Sequence, residues 1–104
     1  MTVIKRWERA EDGVQFPIWV KGPDDVEDYT LDWANRLVED DFIIGAEFYI
    51  NSDVHIISVN FTDRLATVWI TGGVVGTTYD VTCRITTDSG RVHERTFRLV
   101  IANK

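Results

Sequence analysis

Histidines and clustered acids are the residues of this chain that would bind a metal ion. The chain has two histidines, His55 and His93. Each lies in an alternating apolar segment without a second ligand at zinc-site spacing. The acids at 24–28 and 40–41 lack the Asp-x-Asp-x-Asp-Gly pattern that wraps calcium in one loop. Two interpretations of these acids stay open, solvated loops or a cation held between the loops. We predict no metal site and no cofactor.

The residues that could act as a nucleophile or bind phosphate are not accompanied by the other residues that such sites need. Cys83 is the only cysteine, and it falls on the apolar phase of an alternating segment. A buried thiol keeps its proton, and no histidine is placed to remove it. The glycine-rich run 72–76 is not followed by Lys-Ser/Thr or by a helix start, so it is not a phosphate loop. No two carboxylates are placed together in an apolar cleft. The sequence therefore predicts that the protein is not an enzyme.

The charge is negative overall and unevenly distributed. The chain has 17 acids and 11 bases, a formal net charge of −6. Such a chain lacks the basic footprint of nucleic-acid binding and is not suited to an anionic membrane. Residues 22–41 hold eight acids, whereas 84–104 hold five bases. These segments are either two solvated faces or an acidic end that meets a basic surface on a neighbouring molecule.

Cysteine content and hydropathy indicate the cellular compartment in which the protein folds. A single cysteine allows no internal disulfide, which fits folding in a reducing cytoplasm. The first residues include no apolar run of signal-peptide length, and no stretch approaches a membrane span. We expect a protein that is made and used without export.

Side chains alternate between apolar and polar from residue 14 onward, which is typical of β-strands. About seven such segments are separated by turns every 8–12 residues. The sequence predicts an all-β protein, an immunoglobulin-like β-sandwich of about seven antiparallel strands over residues 14–104. Residues 1–13 mix charges with Trp7 and other apolar side chains, without a period, and are predicted to form an N-terminal arm.

Four segments predict how individual strands are placed and which of their side chains face the core. In the first strand the apolar phase consists of Val14, Phe16, Ile18 and Val20. Trp19 and Lys21 fall on the opposite, polar phase, and Pro17 indicates an edge strand. A later strand places an apolar face on Phe42, Ile44, Ala46, Phe48 and Ile50. In 54–62 the apolar phase shifts near Ile57, which predicts a β-bulge. Segment 65–71 is apolar on both faces and is predicted to be central.

Aromatic residues include both structural and interface candidates. Tyr79 begins the penultimate predicted strand after a glycine-containing corner, which is typical of the tyrosine corner of immunoglobulin-like domains. The alternative is an ordinary core tyrosine. Trp33 and Trp69 lie in predicted strands and are expected in the core. Exposed tryptophans mark interfaces or sugar platforms, so Trp7 and Trp19 are candidates, unless both pack against the arm or the sheet rim.

Several segments together resemble a family of small bacteriophage virion proteins, described as fibre–tail adaptors or related immunoglobulin-like neck and capsid accessory proteins. The resemblance spans residues 21–91. It rests on Lys21-Gly22-Pro23-Asp24-Asp25-Val26, Asp28-Tyr29-Thr30-Leu31-Asp32-Trp33, Leu37, Asp41-Phe42-Ile43, Ala66-Thr67-Val68-Trp69-Ile70-Thr71-Gly72-Gly73, Gly76-Thr77-Thr78-Tyr79-Asp80-Val81-Thr82 and Ile85-Thr86-Thr87-Asp88-Ser89-Gly90-Arg91.

This resemblance implies a non-enzymatic structural protein of a tailed phage, located in the virion and assembled in the host cytoplasm. It implies contacts with tail, neck, fibre or capsid proteins and a homo-oligomer or ring. Rim charges would set the register of such contacts, and exposed tryptophans would anchor them. The candidate interface residues are Trp7, Trp19, Asp24, Asp25, Glu27, Arg91, Arg95 and Arg98.

Other functions stay open at this point. A β-sandwich that presents Trp19 to solvent would serve as a carbohydrate-binding module. A capsid-decoration module and an accessory domain separated from a larger enzyme are further alternatives.

Overall fold

The computed structural model describes residues 18–50 and 53–103. Within them the chain forms seven β-strands and one 3₁₀ turn. The strands are β1 (Ile18–Lys21), β2 (Glu27–Asp32), β3 (Ile43–Tyr49), β4 (Val54–Phe61), β5 (Leu65–Gly72), β6 (Thr78–Thr87) and β7 (Val92–Ile101). The 3₁₀ turn, Ala34–Arg36, follows β2. The described part holds no helix long and apolar enough to cross a membrane. The predicted arm, its boundary at residue 13 and Pro17 lie outside the described residues.

The strands form two sheets. One has the order β1-β7-β6-β3 and the other has the order β2-β5-β4. The predicted all-β sandwich is confirmed, and β5 is central as its apolar faces predict. The immunoglobulin-like topology stays a prediction. The expectation of purely antiparallel strands is wrong at β1, which runs parallel to β7 with Ile18 opposite Arg98. The chain crosses to the other sheet after β1, so no hairpin constrains the direction in which β1 meets β7.

The core lies between the two sheets and contains inward-facing side chains from both. Trp33 and Tyr29 are the largest fully buried side chains. Val81, Cys83 and Ile85 alternate inward along β6, and β7 contributes Phe97, Leu99 and Ile101. Full burial of each large apolar side chain contributes about 1.5–3 kcal/mol. Regular alternation on the paired strands β6 and β7 therefore supplies much of the core.

The inward phase of β1 is opposite to the predicted one. Ile18 and Val20 are 58% and 51% exposed. Trp19 instead turns towards the core and is half-buried, with its ring centroid 5.3 Å from that of Tyr29. Lys21 is fully buried, and its Nζ donates to the Gly22 and Gly72 carbonyl oxygens at 2.6 and 2.8 Å. The indole packs against core aromatic rings, and carbonyl acceptors compensate the buried ammonium group. The packing of the Trp19 ring and the acceptors for the Lys21 ammonium group both come from residues that are brought close only by the tertiary structure.

The start of β3 also departs from the prediction. The β3–β6 register shifts between Ile43 and Gly45. Ile43 is buried, whereas Phe42 and Ile44 are exposed. A bulge inserts one residue and turns the side chains before it to the opposite face. Phe48, beyond the bulge, lies inside as expected.

The phase shift in β4 is confirmed as a bulge. The β4–β5 register changes between Ile56 and Ser58, which leaves Ile57 as the additional residue. Ile57 is exposed.

Trp69 lies outside the core, contrary to expectation. Its register places it opposite Asp28 and Ser58 on the outer face of the three-stranded sheet, where it is half-buried. Strand β5 is apolar on both faces, so alternation alone could not select the inward set. The inward-facing side chains of β5 are the smaller ones, namely those of Ala66, Val68 and Ile70.

Candidate protein-binding surfaces

The groups with catalytic potential are inert or scattered. Burial raises the pKa of the Cys83 thiol to about 12, so the thiol stays protonated at neutral pH. Among residues 18–50 and 53–103, no three His, Cys, Asp or Glu side chains are grouped so that they could hold a metal ion. A depression of about 590 Å³ contains Asp32, Asp63 and Arg64 but neither histidine nor cysteine.

The two acidic loops do not share a cation. The loop at 22–26 precedes β2, whereas Asp41 lies beyond the other end of β2. Six strand residues separate the two ends of β2 by about 20 Å. A single ion cannot contact carboxylates at both ends, so the interpretation of a shared cation is wrong.

Asp41 connects the start of β3 to the β6–β7 hairpin. Its Oδ1 accepts the backbone N–H groups of Phe42 and Ser89 at 3.0 and 3.1 Å. Its Oδ2 accepts the Ser89 hydroxyl at 2.7 Å. Burial alone would raise the pKa of Asp41, but hydrogen bonds from Ser89, Thr87 and Phe42 outweigh it and lower the pKa to about 2. The carboxylate is therefore a structural acceptor and not a free ligand.

Tyr79 holds the loop 73–77 against the sandwich. Its hydroxyl oxygen accepts the Val74 N–H at 3.0 Å and donates to Asp53 Oδ2 at 3.4 Å. This is the upstream backbone contact that a tyrosine corner requires. The loop then presents Val74 and Val75, both exposed. An ordered loop with two exposed valines is suited to protein contact.

The predicted basic surface is not continuous. Alternation along β7 turns Arg95 inward, where its guanidinium carbon lies 5.4 Å from the centroid of the Trp33 ring. Arg98 faces outward and its Nε donates to Asp80 Oδ1 at 3.1 Å. Arg91 is exposed near the hairpin. Arg95 is thus part of the core boundary, which corrects its place among rim charges.

The predicted acidic residues stay near one end of the sandwich. Asp24 is exposed, whereas Asp25 and Glu27 are half-buried. Asp25 Oδ2 accepts the Gly22 N–H at 2.9 Å, which closes the turn before β2. The role of these acids in an interface stays a prediction.

Trp19, a candidate for an interface or a sugar platform, is half-buried and packs against two core aromatic rings. Its ring stacks on Tyr29 and tilts against Phe97 at a centroid distance of 4.9 Å. A carbohydrate platform needs an open aromatic face. These contacts cover part of the indole, and the roles of Trp19 in an interface or in sugar binding stay predictions. The other candidate, Trp7, lies outside the described residues.

A second apolar surface lies along β3 and β4, and sequence patterns placed it in the core. Val59 and Phe61 are in register with the buried Val68 and Ala66, yet they are 36% and 44% exposed. Strands β3 and β4 end their respective sheets on the same side, so less of the facing sheet covers these side chains. The β3 bulge adds two exposed side chains at the same end. We call this surface the apolar margin, formed by Phe42, Ile44, Ile57, Val59 and Phe61.

The apolar margin borders an open strand edge. In the described sheet order, β4 pairs with β5 on one side and with no strand on the other. Such an edge presents unpaired backbone groups that can bind a further strand. The phase shift at Ile57 pointed to a bulge, but no sequence pattern indicated that the margin is exposed.

A comparison with protein-family models identifies the family of this chain. The family model described as podophage GP4 fiber-tail adaptor protein gp77 matches residues 21–100. The match includes β2 to β6 and nearly all of β7, and it begins at the last residue of β1. A search of curated proteins finds no match. With the family model matched over most of its length, the chain belongs to the podophage GP4 fiber-tail adaptor gp77 family.

Proposed function

We propose that this protein is a non-enzymatic adaptor that joins fibre and tail proteins of a phage particle through protein–protein contacts. The observation that carries the proposal is the family match over residues 21–100. Assembly in the host cytoplasm, before incorporation into the virion, is part of the same proposal.

An adaptor needs two contact surfaces, and the apolar features fall at two ends of the sandwich. The loop 73–77 lies beside the end of β7, because Gly76 N donates to the Ile101 carbonyl oxygen at 2.7 Å. The apolar margin extends to the other end, where Ile43 N donates to the Asp63 carbonyl oxygen at 2.9 Å. Strand β4 is eight residues long, so its two ends lie about 26 Å apart. This separation lets two partners bind without competing.

The apolar margin is proposed to receive an extended segment of a fibre or tail protein. A segment added to the free edge of β4 would form backbone hydrogen bonds, and its apolar side chains would cover Val59 and Phe61. Aromatic side chains contribute disproportionately to interfaces, so Phe61 is the expected anchor.

Charged residues would orient the partners. Asp24, Asp25 and Glu27 lie near the loop 73–77, as Thr71 Oγ1 donates to the Asp25 carbonyl oxygen at 3.1 Å. Arg91 lies in the β6–β7 turn, and Arg98 faces outward on β7 beside Asp80. Rim charges of this kind affect association rate and register more than affinity.

Self-association into a ring is also part of the proposal. The two ends of the sandwich differ in sequence and shape, and contacts between unlike surfaces close into rings when the rotation permits. Analytical ultracentrifugation of the purified protein tests this part directly. Sedimentation only as a monomer at all concentrations would remove the ring from the proposal.

The adaptor role is tested by complementing a phage that lacks the gene with variants of the protein. Phe61→Asp is expected to fold normally but to reduce fibre content of the particles by about tenfold or more, because a charge in an apolar contact removes its binding energy. Val92→Asp is the control, since Val92 is also apolar and exposed but lies on β7. Quantitative mass spectrometry of purified particles measures fibre and adaptor together. Particles that lack the wild-type protein altogether would overturn the proposal.

A further inference from the structure

The inner face of β7 changes from apolar to basic towards the β6–β7 hairpin. Phe97, Leu99 and Ile101 face the core and are fully buried. Arg95 and His93 precede them on the same phase, because side chains two residues apart point to the same face of a strand. Arg95 is buried and His93 is half-buried. Two basic side chains therefore occupy the hairpin end of the inner face.

Two further arginines lie next to this pair. The guanidinium carbon of Arg95 lies 5.4 Å from the centroid of the Trp33 ring. Arg36 follows that ring in the 3₁₀ turn, where its backbone N–H donates to the Trp33 carbonyl oxygen at 2.8 Å. Arg91 precedes His93 by two residues, at the end of the hairpin. We call these four side chains the basic cluster, formed by Arg36, Arg91, His93 and Arg95.

Three polar groups of the basic cluster lack partners within the described part of the chain. Arg36 and Arg91 are exposed, and neither forms an ion pair there. The Nε2 atom of His93 is buried there without a hydrogen-bond partner. Acids are not scarce, since the chain has 17 acids against 11 bases. Like charges held beside an unsatisfied polar atom are unfavourable unless an anion compensates them.

The field at His93 is dominated by positive charge. Burial, followed by the fields of Arg36 and Arg91, lowers the pKa of His93. Asp41 opposes this effect, and Arg95 adds to it. Both carboxylate oxygens of Asp41 already accept hydrogen bonds from the start of β3 or from the β6–β7 hairpin. The Asp41 carboxylate is therefore committed to the fold, and the cluster keeps an excess of positive charge.

We propose that the basic cluster is an anion-binding site, and that it binds a carboxylate group of a partner protein. Arg36 and Arg91 would donate hydrogen bonds to the carboxylate oxygens, and His93 would gain a counter-charge. A carboxylate has one negative charge, whereas a phosphate group has about two at pH 7. Asp41 and the net charge of −6 disfavour the more negative ligand.

The basic cluster is separate from the surfaces assigned to the adaptor function. None of its four residues belongs to the loop 73–77 or to the apolar margin. Binding of a carboxylate at this end of the sandwich goes beyond the adaptor function and does not depend on it. An acidic side chain and the C-terminal residue of a protein both present a carboxylate, so the test distinguishes these two sources.

Nuclear magnetic resonance of the full-length protein tests the site through its histidine side chains. The chain has two histidines, and His55, exposed on β4, is the internal reference. Three peptides serve as probes. Acetyl-Gly-Glu-Gly-amide carries only a side-chain carboxylate, acetyl-Gly-Gly-Gly carries only a terminal carboxylate, and acetyl-Gly-Gln-Gly-amide carries no charge.

We expect at least one of the two acidic peptides to shift the imidazole resonances of His93 in a saturable way, while those of His55 do not move. The acidic peptide that binds more tightly identifies the source of the carboxylate. Arg36→Gln and Arg91→Gln should each weaken this binding about tenfold, since each removes a charge-assisted hydrogen bond.

The matched control is Arg84→Gln. Arg84 is also exposed, but its Nε donates to Glu94 at 2.6 Å on the outer face of the sandwich. This variant should leave peptide binding unchanged, and equal weakening by all three variants would overturn the location of the site. Absence of a saturable shift with either acidic peptide would overturn the proposal. So would an equal shift with the uncharged peptide or with inorganic phosphate.

The pH titration of His93 gives a second readout, which a merely structural role of the arginines would not move. A bound carboxylate opposes the positive fields of Arg36, Arg91 and Arg95, so it favours the protonated ring. Saturating acidic peptide should therefore raise the pKa of His93, and an unchanged pKa would contradict the proposal. Neither measurement involves virions, so their outcome is independent of the adaptor test.

Discussion

The hydroxyl oxygen of Tyr79 lies 3.0 Å from the backbone nitrogen of Val74, five residues upstream, and accepts its hydrogen bond. The contact joins the start of β6 to the loop that precedes it. Because the same hydroxyl also reaches Asp53, one side chain connects the loop 73–77 with the start of β4. The exposed valines of that loop are held in place by a buried tyrosine and not by their own packing.

Tyr79→Phe removes this connection and retains the ring. We expect a loss of about 1 kcal/mol in the free energy of unfolding, since the Val74 N–H loses its acceptor. Amide exchange in 73–77 should rise as well. The control is Tyr49→Phe, whose hydroxyl donates to Glu47 at 2.7 Å on an exposed surface, and it should cost less than about 0.5 kcal/mol. Urea denaturation measures both, and equal losses would contradict the assigned role.

Gly73 should tolerate no side chain. Its φ of 106° is unfavourable for other residues, and an added Cβ would lie 2.7 Å from Ile101 Cγ1. Gly76 has a φ of 87° but no atom within 4 Å of an added Cβ, which makes it the control. Gly76→Ala should cost about 1 kcal/mol from backbone strain alone, and Gly73→Ala about 1–3 kcal/mol more from overpacking. If the two variants lower the melting temperature equally, Ile101 can move away from the added methyl group without loss of stability, which would contradict the prediction.

Arg95 and Arg98 should differ in their effect on stability although they lie on one strand. Arg95→Ala removes a guanidinium that covers Trp33, with an expected loss of about 1–2 kcal/mol. Arg98→Ala breaks an exposed ion pair with Asp80 and should change stability by less than about 0.5 kcal/mol. Chemical denaturation distinguishes them. A larger loss of stability for Arg98→Ala than for Arg95→Ala would contradict this prediction, because the arginine that stabilises the fold would then be the outward-facing one.

Asp41 predicts acid sensitivity with a defined direction. The pKa of its carboxyl is about 2 in the folded protein, below the value of about 3.9 in an unfolded chain. The lowered pKa stabilises the fold above about pH 4, and this contribution is lost as the pH falls towards 2. Asp41→Asn should lower the melting temperature at pH 6, and the difference from wild type should shrink between pH 4 and pH 2. A difference in melting temperature that stays constant between pH 4 and pH 2 would contradict the lowered pKa of Asp41.

Strand alternation was sufficient to predict most of the sandwich. Segments 79–85 and 97–101 alternate without interruption, so their inward sides were predictable from period alone. The glycine at position 90, with a φ of 92°, closes the β6–β7 hairpin as the turn pattern predicts. The shift of apolar phase near Ile57 also identified the β4 bulge before its register was known. These features depend on neighbours along the chain.

The orientation of β1, the face of Trp69 and the apolar margin were decided only by tertiary structure. Trp19 turns inward because Tyr29 and Phe97 form a site large enough for an indole, and neither residue is near it in sequence. Trp69 lies outside because β5 is apolar on both faces, and the facing sheet packs against the face with the smaller side chains. Phe61 follows a core-facing register yet stays exposed, because the opposite sheet covers too little of it. A one-dimensional pattern records which side chains alternate, but contact with the other sheet determines which of them are buried.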